Sequence, residues 1–595
     1  MGFALLVAHV PVAARAAAAP ACTYTTTNSA VTGENPRSLA MADLNEDGIL
    51  DLVTGNLDGS SLSVLLGRGD GTFRAAVSYA IGLNPYQVIT GDFNGDGKLD
   101  LAAADFGGTE VSVLLGNGDG TFGATVTYAT GTKPRGLLAA DLNGDGYLDL
   151  AVANSTATST SILLGKGDGT FQSKADISSG GTPHGIVVSD FNRDGKLDLA
   201  IANNSPNGTV TILLGDGTGG FTKAATVSVG SSPYGIATAD FNGDGRPDLV
   251  TANFGDSTLS VVFGRGDGTF QAAVSYPTAG PPVAVRVADL NGDGFTDLLA
   301  SDSSVSTLEI FLGNGDGTFG KPAALTGLAG VYDVAVGDLD SDGTPDLAAA
   351  TSGANAVTVL RGSCVASVSG VANAASGVAG AVPGGWVSIY GANLASTTYT
   401  AQSSDLTGNF LPTTLKGVSV QLGGRAAFVY FVSPNQLNVV VPDDSNTGAV
   451  SVTLSTSAGI AASVSTLLLS AQPGIFASST YALAVRYRDG AILSGASSAT
   501  VGPGDIVELY VTGLGATSPA VASGLVFSGS YPTQATPSVT IGGVSAPLSY
   551  SGLVGAGLYQ LNVTVPAGIT TGISAIIVSA GGQSSPPALL RTQSN

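Results

Sequence analysis

One ten-residue pattern, D-x-[ND]-x-D-G-x-x-D-L, occurs seven times in this chain, starting at Asp43, Asp92, Asp141, Asp190, Asp240, Asp289 and Asp338. Successive copies lie 49 residues apart, or 50 at one step. A chain repeated at that interval builds one supersecondary unit per repeat and buries its apolar faces by stacking neighbours. The interval suits a four-stranded propeller blade, so the spacing predicts an all-β ring of seven blades.

The residues between the copies read as strands. In the third repeat GLLAAD precedes the acidic loop, LDLAVAN follows it, and TSTSILLG, a GKGDGT turn and FQSKADIS complete the unit. Short β-rich runs separated by Gly, Asn and Asp turns are the pattern of antiparallel hairpins, and no helical periodicity competes. The hairpin turn is missing after the seventh loop. Residues 23–36 align with residues 121–134, so the N-terminal segment is expected to supply the outer strand of the last blade.

The acidic loops have the spacing of a calcium site. Calcium takes six to eight hard oxygen ligands, and side chains at loop positions 1, 3, 5 and 9 with the carbonyl of position 7 surround it if the chain turns sharply at a glycine. An EF-hand would need a glutamate at position 12 and flanking helices, whereas strand-like residues follow here. The expected ligand sets, for about seven Ca2+ ions, are Asp43, Asn45, Asp47, Ile49 and Asp51; Asp92, Asn94, Asp96, Lys98 and Asp100; Asp141, Asn143, Asp145, Tyr147 and Asp149; Asp190, Asn192, Asp194, Lys196 and Asp198; Asp240, Asn242, Asp244, Arg246 and Asp248; Asp289, Asn291, Asp293, Phe295 and Asp297; and Asp338, Asp340, Asp342, Thr344 and Asp346. A metal-free Asx-Gly turn explains one isolated copy but not seven with every carboxylate in place.

Charge follows the loops. The chain carries a net −22, of which residues 1–364 hold −21 and residues 365–595 only −1. Because 22 of the 44 acids are aspartates at the loops' candidate ligand positions, the acidity is ligand charge and not a surface for a basic partner. Nucleic acid is excluded by the same sign, since it demands clustered Lys and Arg.

Cys22 and Cys364, the only cysteines, fall in the same hairpin turn when placed in repeat phase. A disulfide there would lock the ring, and chain entropy for so long a loop gives about 5 kcal/mol. Residues 1–21 combine an apolar run too short to span a bilayer with a small-residue cleavage region and are expected to be an export signal, placing the mature protein outside the cell or at its surface. No later stretch is apolar over the eighteen or more residues of a transmembrane segment.

Beyond Cys364 the chain is rich in Gly, Ser, Ala and Val and holds a looser repeat: PGGWVSIYGANL at 383 returns as PGDIVELYVTGL at 503, and QLNVVVP at 436 as QLNVTVP at 560. Two immunoglobulin-like β-sandwiches are expected, at 365–471 and 472–595, after a propeller at 22–364. The one tryptophan, Trp386, is expected in a sandwich core.

The seven loops make the first part resemble the FG-GAP/VCBS repeat family, seven-bladed propellers similar to the head of integrin α-subunits. The second part, through VANAASGVAGAVPGGWVSIYGANLA, LPTTLKGVSVQLGG and SPNQLNVVVP, resembles the IPT/TIG-like immunoglobulin-fold domains at the C-termini of secreted soil-bacterial proteins. The resemblance implies extracellular adhesion, glycan recognition or a scaffold role. In the family's geometry the calcium loops lie at one face and the residue opening each innermost strand lies at the other, beside the channel. Register gives Arg37, Tyr86, Arg135, His184, Tyr234, Val283 and Tyr332 there. These read either as a binding ring, with Tyr faces for stacking and Arg for acidic or hydroxyl groups, or as tolerated solvent-facing positions. Asn56, Asn154, Asn203 and Asn253, at the following strand ends, read as recognition groups or as turn residues.

The RGD tripeptides at Arg68 and Arg265 belong to the hairpin turn, because other repeats place Asn, Lys or Asp at the arginine position. One histidine outside the export signal, no GxSxG and most carboxylates in loops suggest a chain that is not an enzyme. The expectation is a non-catalytic, calcium-stabilised binding or adhesion protein for a glycan or an extracellular protein, with a display scaffold or a polysaccharide lyase as alternatives.

Overall fold

The computed structural model describes residues 22–594 apart from 396, 444–446, 457–458, 461–462, 479, 496–497 and 528. The expected export signal at 1–21 lies outside the described residues. Among the described residues there is no α-helix, and the only helical turns are the 3-10 turns Ser352–Ala354 and Ser403–Asp405. The chain divides into two compact units, one made of Cys22–Asn291 and Phe295–Ser363, the other of the residues from Cys364 on together with Gly292–Gly294.

Seven antiparallel four-stranded sheets form the first unit. In the third, Pro134–Ala140, Asp149–Asn154, Ser159–Leu163 and Ala175–Ser178 pair in sequence order. The first strand of each sheet lies against the first strands of its two neighbours, and Pro36–Ala42 meets Val331–Gly337, which closes the ring. The seventh sheet is composite: its outer strand is Cys22–Val31, beside Ala356–Cys364. A disulfide joins Cys22 and Cys364 at the ends of those two neighbouring strands.

The blades hold together through apolar layers between neighbouring sheets. Ala102, Val111 and Val113 of the second blade pack with Leu137, Val152 and Phe171 of the third, and Phe93 meets Phe171 edge-on at 5.7 Å. Phe93 is the second residue of its acidic loop. All seven residues at that position, Leu44, Phe93, Leu142, Phe191, Phe241, Leu290 and Leu339, are at most 4 % exposed. Each loop is therefore pinned to the core by its own side chain, which is why the motif alternates only Leu and Phe there.

In the second unit four sheets form two sandwiches, with separate cores around Val387, Ile389, Leu437 and Val439 and around Val507, Leu509, Leu561 and Val563. Trp386 departs from expectation. Alternation along Trp386–Ala392 sends Val387 and Ile389 into the core, so Trp386 faces outward. There it packs with Phe476, Tyr510 and Leu558 of the second sandwich, and its Nε1–H donates to the Ala556 carbonyl at 2.6 Å. The tryptophan is a contact between the sandwiches and not the core of one.

Candidate functional site

The acidic loops repeat one hydrogen-bond plan. The position-9 aspartate opens the second strand of each blade and is at most 1 % exposed in all seven. In blade three, Asp149 accepts the Leu142 N–H on Oδ2 at 2.9 Å and the Gly165 N–H on Oδ1 at 2.7 Å. The other six make the same pair of bonds, to loop position 2 and to the hairpin glycine. This carboxylate thus ties the loop to the far hairpin of its own blade. Burial pushes the acids of Asp51, Asp100, Asp149 and Asp198 up, and those of Asp248 and Asp346 up to about 6.

The remaining ligand candidates converge at the loop tip. In loops one to five and seven the position-5 N–H donates to the side chains of positions 1 and 3, as Asp145 does to Asp141 and Asn143 at 3.1 and 2.9 Å. The position-6 glycine makes this wrap sterically accessible, with φ of +81° at Gly48 and +88° at Gly146. The seventh loop differs because position 3 is a carboxylate. One oxygen each of Asp338, Asp340 and Asp346 lies within 4.8 Å of the others. The extra charge is offset by Arg361, whose Nε stands 2.5 Å from Asp340.

The residues expected to open the innermost strands do come together around one cavity of about 610 Å3, lined by Arg37, Tyr86, Arg135, His184, Tyr234, Val283 and Tyr332. The Arg37 guanidinium lies 3.5 Å from the centre of the Tyr332 ring. That of Arg135 lies 4.2 Å from the rings of both Tyr86 and Tyr234, and it donates to the Tyr86 hydroxyl. Phe254 stacks on Tyr234 at 4.7 Å and His184 meets it edge-on at 4.9 Å. These ring faces therefore hold arginines in place, a use of aromatics that strand register alone does not reveal.

His184 is neutral here: burial, and then the Arg135 charge, push it down to about 3. A guanidinium only donates, so the 3.4 Å contact from Arg135 makes Nε2 the acceptor and leaves the proton on Nδ1, which is buried without a partner. Burial also lowers Arg37, with the Arg135 charge adding to it, and Arg37 Nε is a second buried donor without a partner.

Sequence reasoning missed a third arginine of the cavity, Arg286. It sits three residues beyond Val283, where other blades carry Ala40, Ile89, Leu138, Val187 and Ala237. Its partner is Asp333 of the next blade, with the two carboxylate oxygens 2.7 and 2.8 Å from Nη2, and Asp333 also accepts the Leu39 N–H of the blade after. A charged residue breaking an otherwise apolar or small register was the available signal.

Asn56, Asn154, Asn203 and Asn253 are buried. Each Nδ2 donates to two hydroxyls of the third strand, as Asn154 does to Ser159 at 3.3 Å and Ser161 at 2.9 Å. They are structural clasps. In the RGD turns Asp70 and Asp267 accept the N–H and hydroxyl of Thr72 and Thr269, which is a hairpin requirement.

No curated protein matches the chain. Among solved structures it is similar to a protein from Lactobacillus plantarum, 15 % identical over 52 % of this chain and 90 % of that one, TM-score 0.41. It is also similar to a putative 6-phosphogluconolactonase from Bacteroides uniformis, 17 % identical over 51 % and 88 %, TM-score 0.41. A third is the periplasmic gluconolactonase PpgL of Pseudomonas aeruginosa, 14 % identical over 49 % and 85 %, TM-score 0.38. Two of the three bear enzyme names, and this overturns the expectation that the chain is not an enzyme. That expectation rested on a shortage of catalytic residue types, yet the cavity gathers Tyr, Arg and a neutral imidazole, which can accept, donate or stabilise charge. The likenesses themselves are too distant to transfer an activity. The FG-GAP-like repeat model matches residues 43–103, 92–152, 141–201, 190–251, 240–300 and 289–349, a continuous span of just over half the 595 residues, and the chain belongs to that family.

Proposed function

We propose that this protein is an exported, calcium-stabilised propeller that recognises a glycan through the cavity at the opening of its innermost strands, with IPT/TIG-like sandwiches as its C-terminal part. The observation that carries the reading is the cavity: all seven blades bring an Arg, Tyr or His side chain to one space of about 610 Å3, within the size range of small-ligand sites. The disulfide fits an oxidising compartment. Calcium fits the loops because they offer only oxygen donors and because three carboxylates of the seventh converge. In each loop positions 1, 3, 5 and 9 and the position-7 carbonyl would hold the ion. Bound calcium would neutralise the clustered carboxylates and stabilise the native state by mass action.

The test is a glycan and polysaccharide panel probed with the calcium-loaded protein, reading both retention and released products. Retention that is lost in Tyr234→Ala, with calcium content unchanged, is the expected result, and released fragments would locate chemistry in the same cavity. Retention untouched by that change would move the site elsewhere. A panel with no retained glycan would replace this reading with a protein partner or a display scaffold.

A further inference from the structure

We infer that the group taken into the cavity is a carboxylate, presented end-on by the terminal uronic acid of a glycan and held by Arg37 and Arg135. This rests on the glycan reading above and deepens it.

The cavity contains its own control. Of its three arginines, Arg286 is neutralised by both oxygens of the buried Asp333. Arg37 and Arg135 form no ion pair among the described residues, although Arg135 is only 8 % exposed and Arg37 is half-buried. Asp58, an acid whose field reaches Arg37, is instead engaged by the Asn35 amide at 2.9 Å. Each guanidinium rests on tyrosine rings, and the two charges oppose one another. Holding two like charges out of water without a counter-ion costs free energy that an entering anion recovers.

The chemistry of the walls narrows the anion. The guanidiniums of Arg37 and Arg135 carry only donors, so the complementary group offers acceptor oxygens. A planar guanidinium fork matches a carboxylate in two parallel hydrogen bonds. Tyr rings and the aliphatic Leu138 and Val187 also line the space, which suits a sugar ring carrying one acid better than a bare ion. Seven bound Ca2+ would reduce the net −22 of the chain only to about −8, which still repels ligands in proportion to their charge and favours a single acid over a polyanion. Entry is end-on because the innermost strands close a ring, so a chain cannot settle sideways into the channel.

The experiment is calorimetric titration of the calcium-loaded full chain with cellobiouronic acid, its methyl ester, cellobiose, inorganic sulfate and an Asp-rich peptide. The acid is expected to bind at least about tenfold tighter than the ester or cellobiose, a difference set by one charge-assisted pair. Arg37→Gln and Arg135→Gln should each remove about as much with calcium content and melting unchanged, and Arg135→Lys should recover part of it. Raising the ionic strength should weaken the acid and leave cellobiose unaffected. Ester and acid binding equally, with Tyr234→Ala still losing retention on the panel, would overturn the carboxylate while leaving glycan binding in place. Sulfate or the peptide binding in preference to the acid would also overturn it. The ester comparison uses the unaltered protein, so it decides even if the arginine variants fail to fold.

Discussion

The two ends of the propeller's innermost strands obey opposite rules. At the end where the acidic loops sit, seven blades carry the same residue types, and all seven position-9 aspartates accept the same two N–H groups. At the opening end the blades carry Arg37, Tyr86, Arg135, His184, Tyr234, Val283 and Tyr332, with little in common. The loops are seven separate copies of one local problem, so one solution recurs. The opening residues surround a single shared space, where identical side chains would crowd or repel and different ones compose a site. Within a repeating chain, sameness therefore points to folding and difference to recognition.

The largest effect expected from this contrast is on the loop end. Exhaustive chelation should lower the melting temperature far more than any single substitution, because each site filled a thousandfold above its Kd contributes about 4 kcal/mol. Scanning calorimetry of metal-free and calcium-loaded protein checks it. An unchanged melt with calcium verified absent would remove metal from the account of the repeats. Next in size is Asp149→Ala, which leaves two buried N–H groups, of Leu142 and Gly165, without their acceptor. The expected loss is about 2–4 kcal/mol by denaturant unfolding. A loss no larger than that of an exposed hairpin acid such as Asp119→Ala would mean that the buried carboxylate is not what ties loop to hairpin.

The same contrast explains what could be read from the sequence. Blade number, the composite last blade and the paired cysteines were legible because repetition multiplies a weak signal by seven, and an element missing from one copy stands out. Trp386 was not, since period-2 alternation leaves open which face of a strand meets the sandwich core and which meets a neighbouring domain. The ring positions were found by register, but their contacts were not. Arg135 of blade three reaches tyrosines of blades two and five across the channel, a relation set by ring closure and not by sequence distance. Arg286 stayed hidden because its partner Asp333 comes from another blade and occupies a position that is glycine in blades three, four and five. At Gly136 an added Cβ would come within 2.4 Å of the His184 carbonyl, so those blades approach too closely to carry a partner there.

A smaller effect tests the clasp at the end of the second strand, where blade two replaces the usual asparagine by Asp105. Ser112 donates to Asp105 Oδ2 at 2.7 Å, but Oδ1 is buried without a partner, and burial pushes the acid from 3.8 up to about 7. Because the folded value is raised, the native state holds a proton that the unfolded chain has released. The penalty is absent below about pH 4 and grows as pH rises until it is complete above about 7. Asp105→Asn should therefore leave stability unchanged at pH 4 and raise it by about 1–2 kcal/mol at pH 8. A gain of equal size at both pH values would attribute the effect to packing and not to charge.

The smallest expected change in stability is at the opening end. Arg135→Gln removes two cation–π contacts, each worth about 1 kcal/mol, but it also removes a buried charge that lacks a counter-ion. The two terms oppose, so the unfolding free energy of calcium-loaded protein should move by less than about 1 kcal/mol. Asp149→Ala and Arg135→Gln then separate the two ends: the first loses stability and the second keeps it. A loss from Arg135→Gln as large as that from Asp149→Ala would mean that the arginine holds the ring together through Tyr86 and Tyr234. Difference between the blades would then reflect packing across the channel, and the rule drawn from the two ends would fail where it matters most for function.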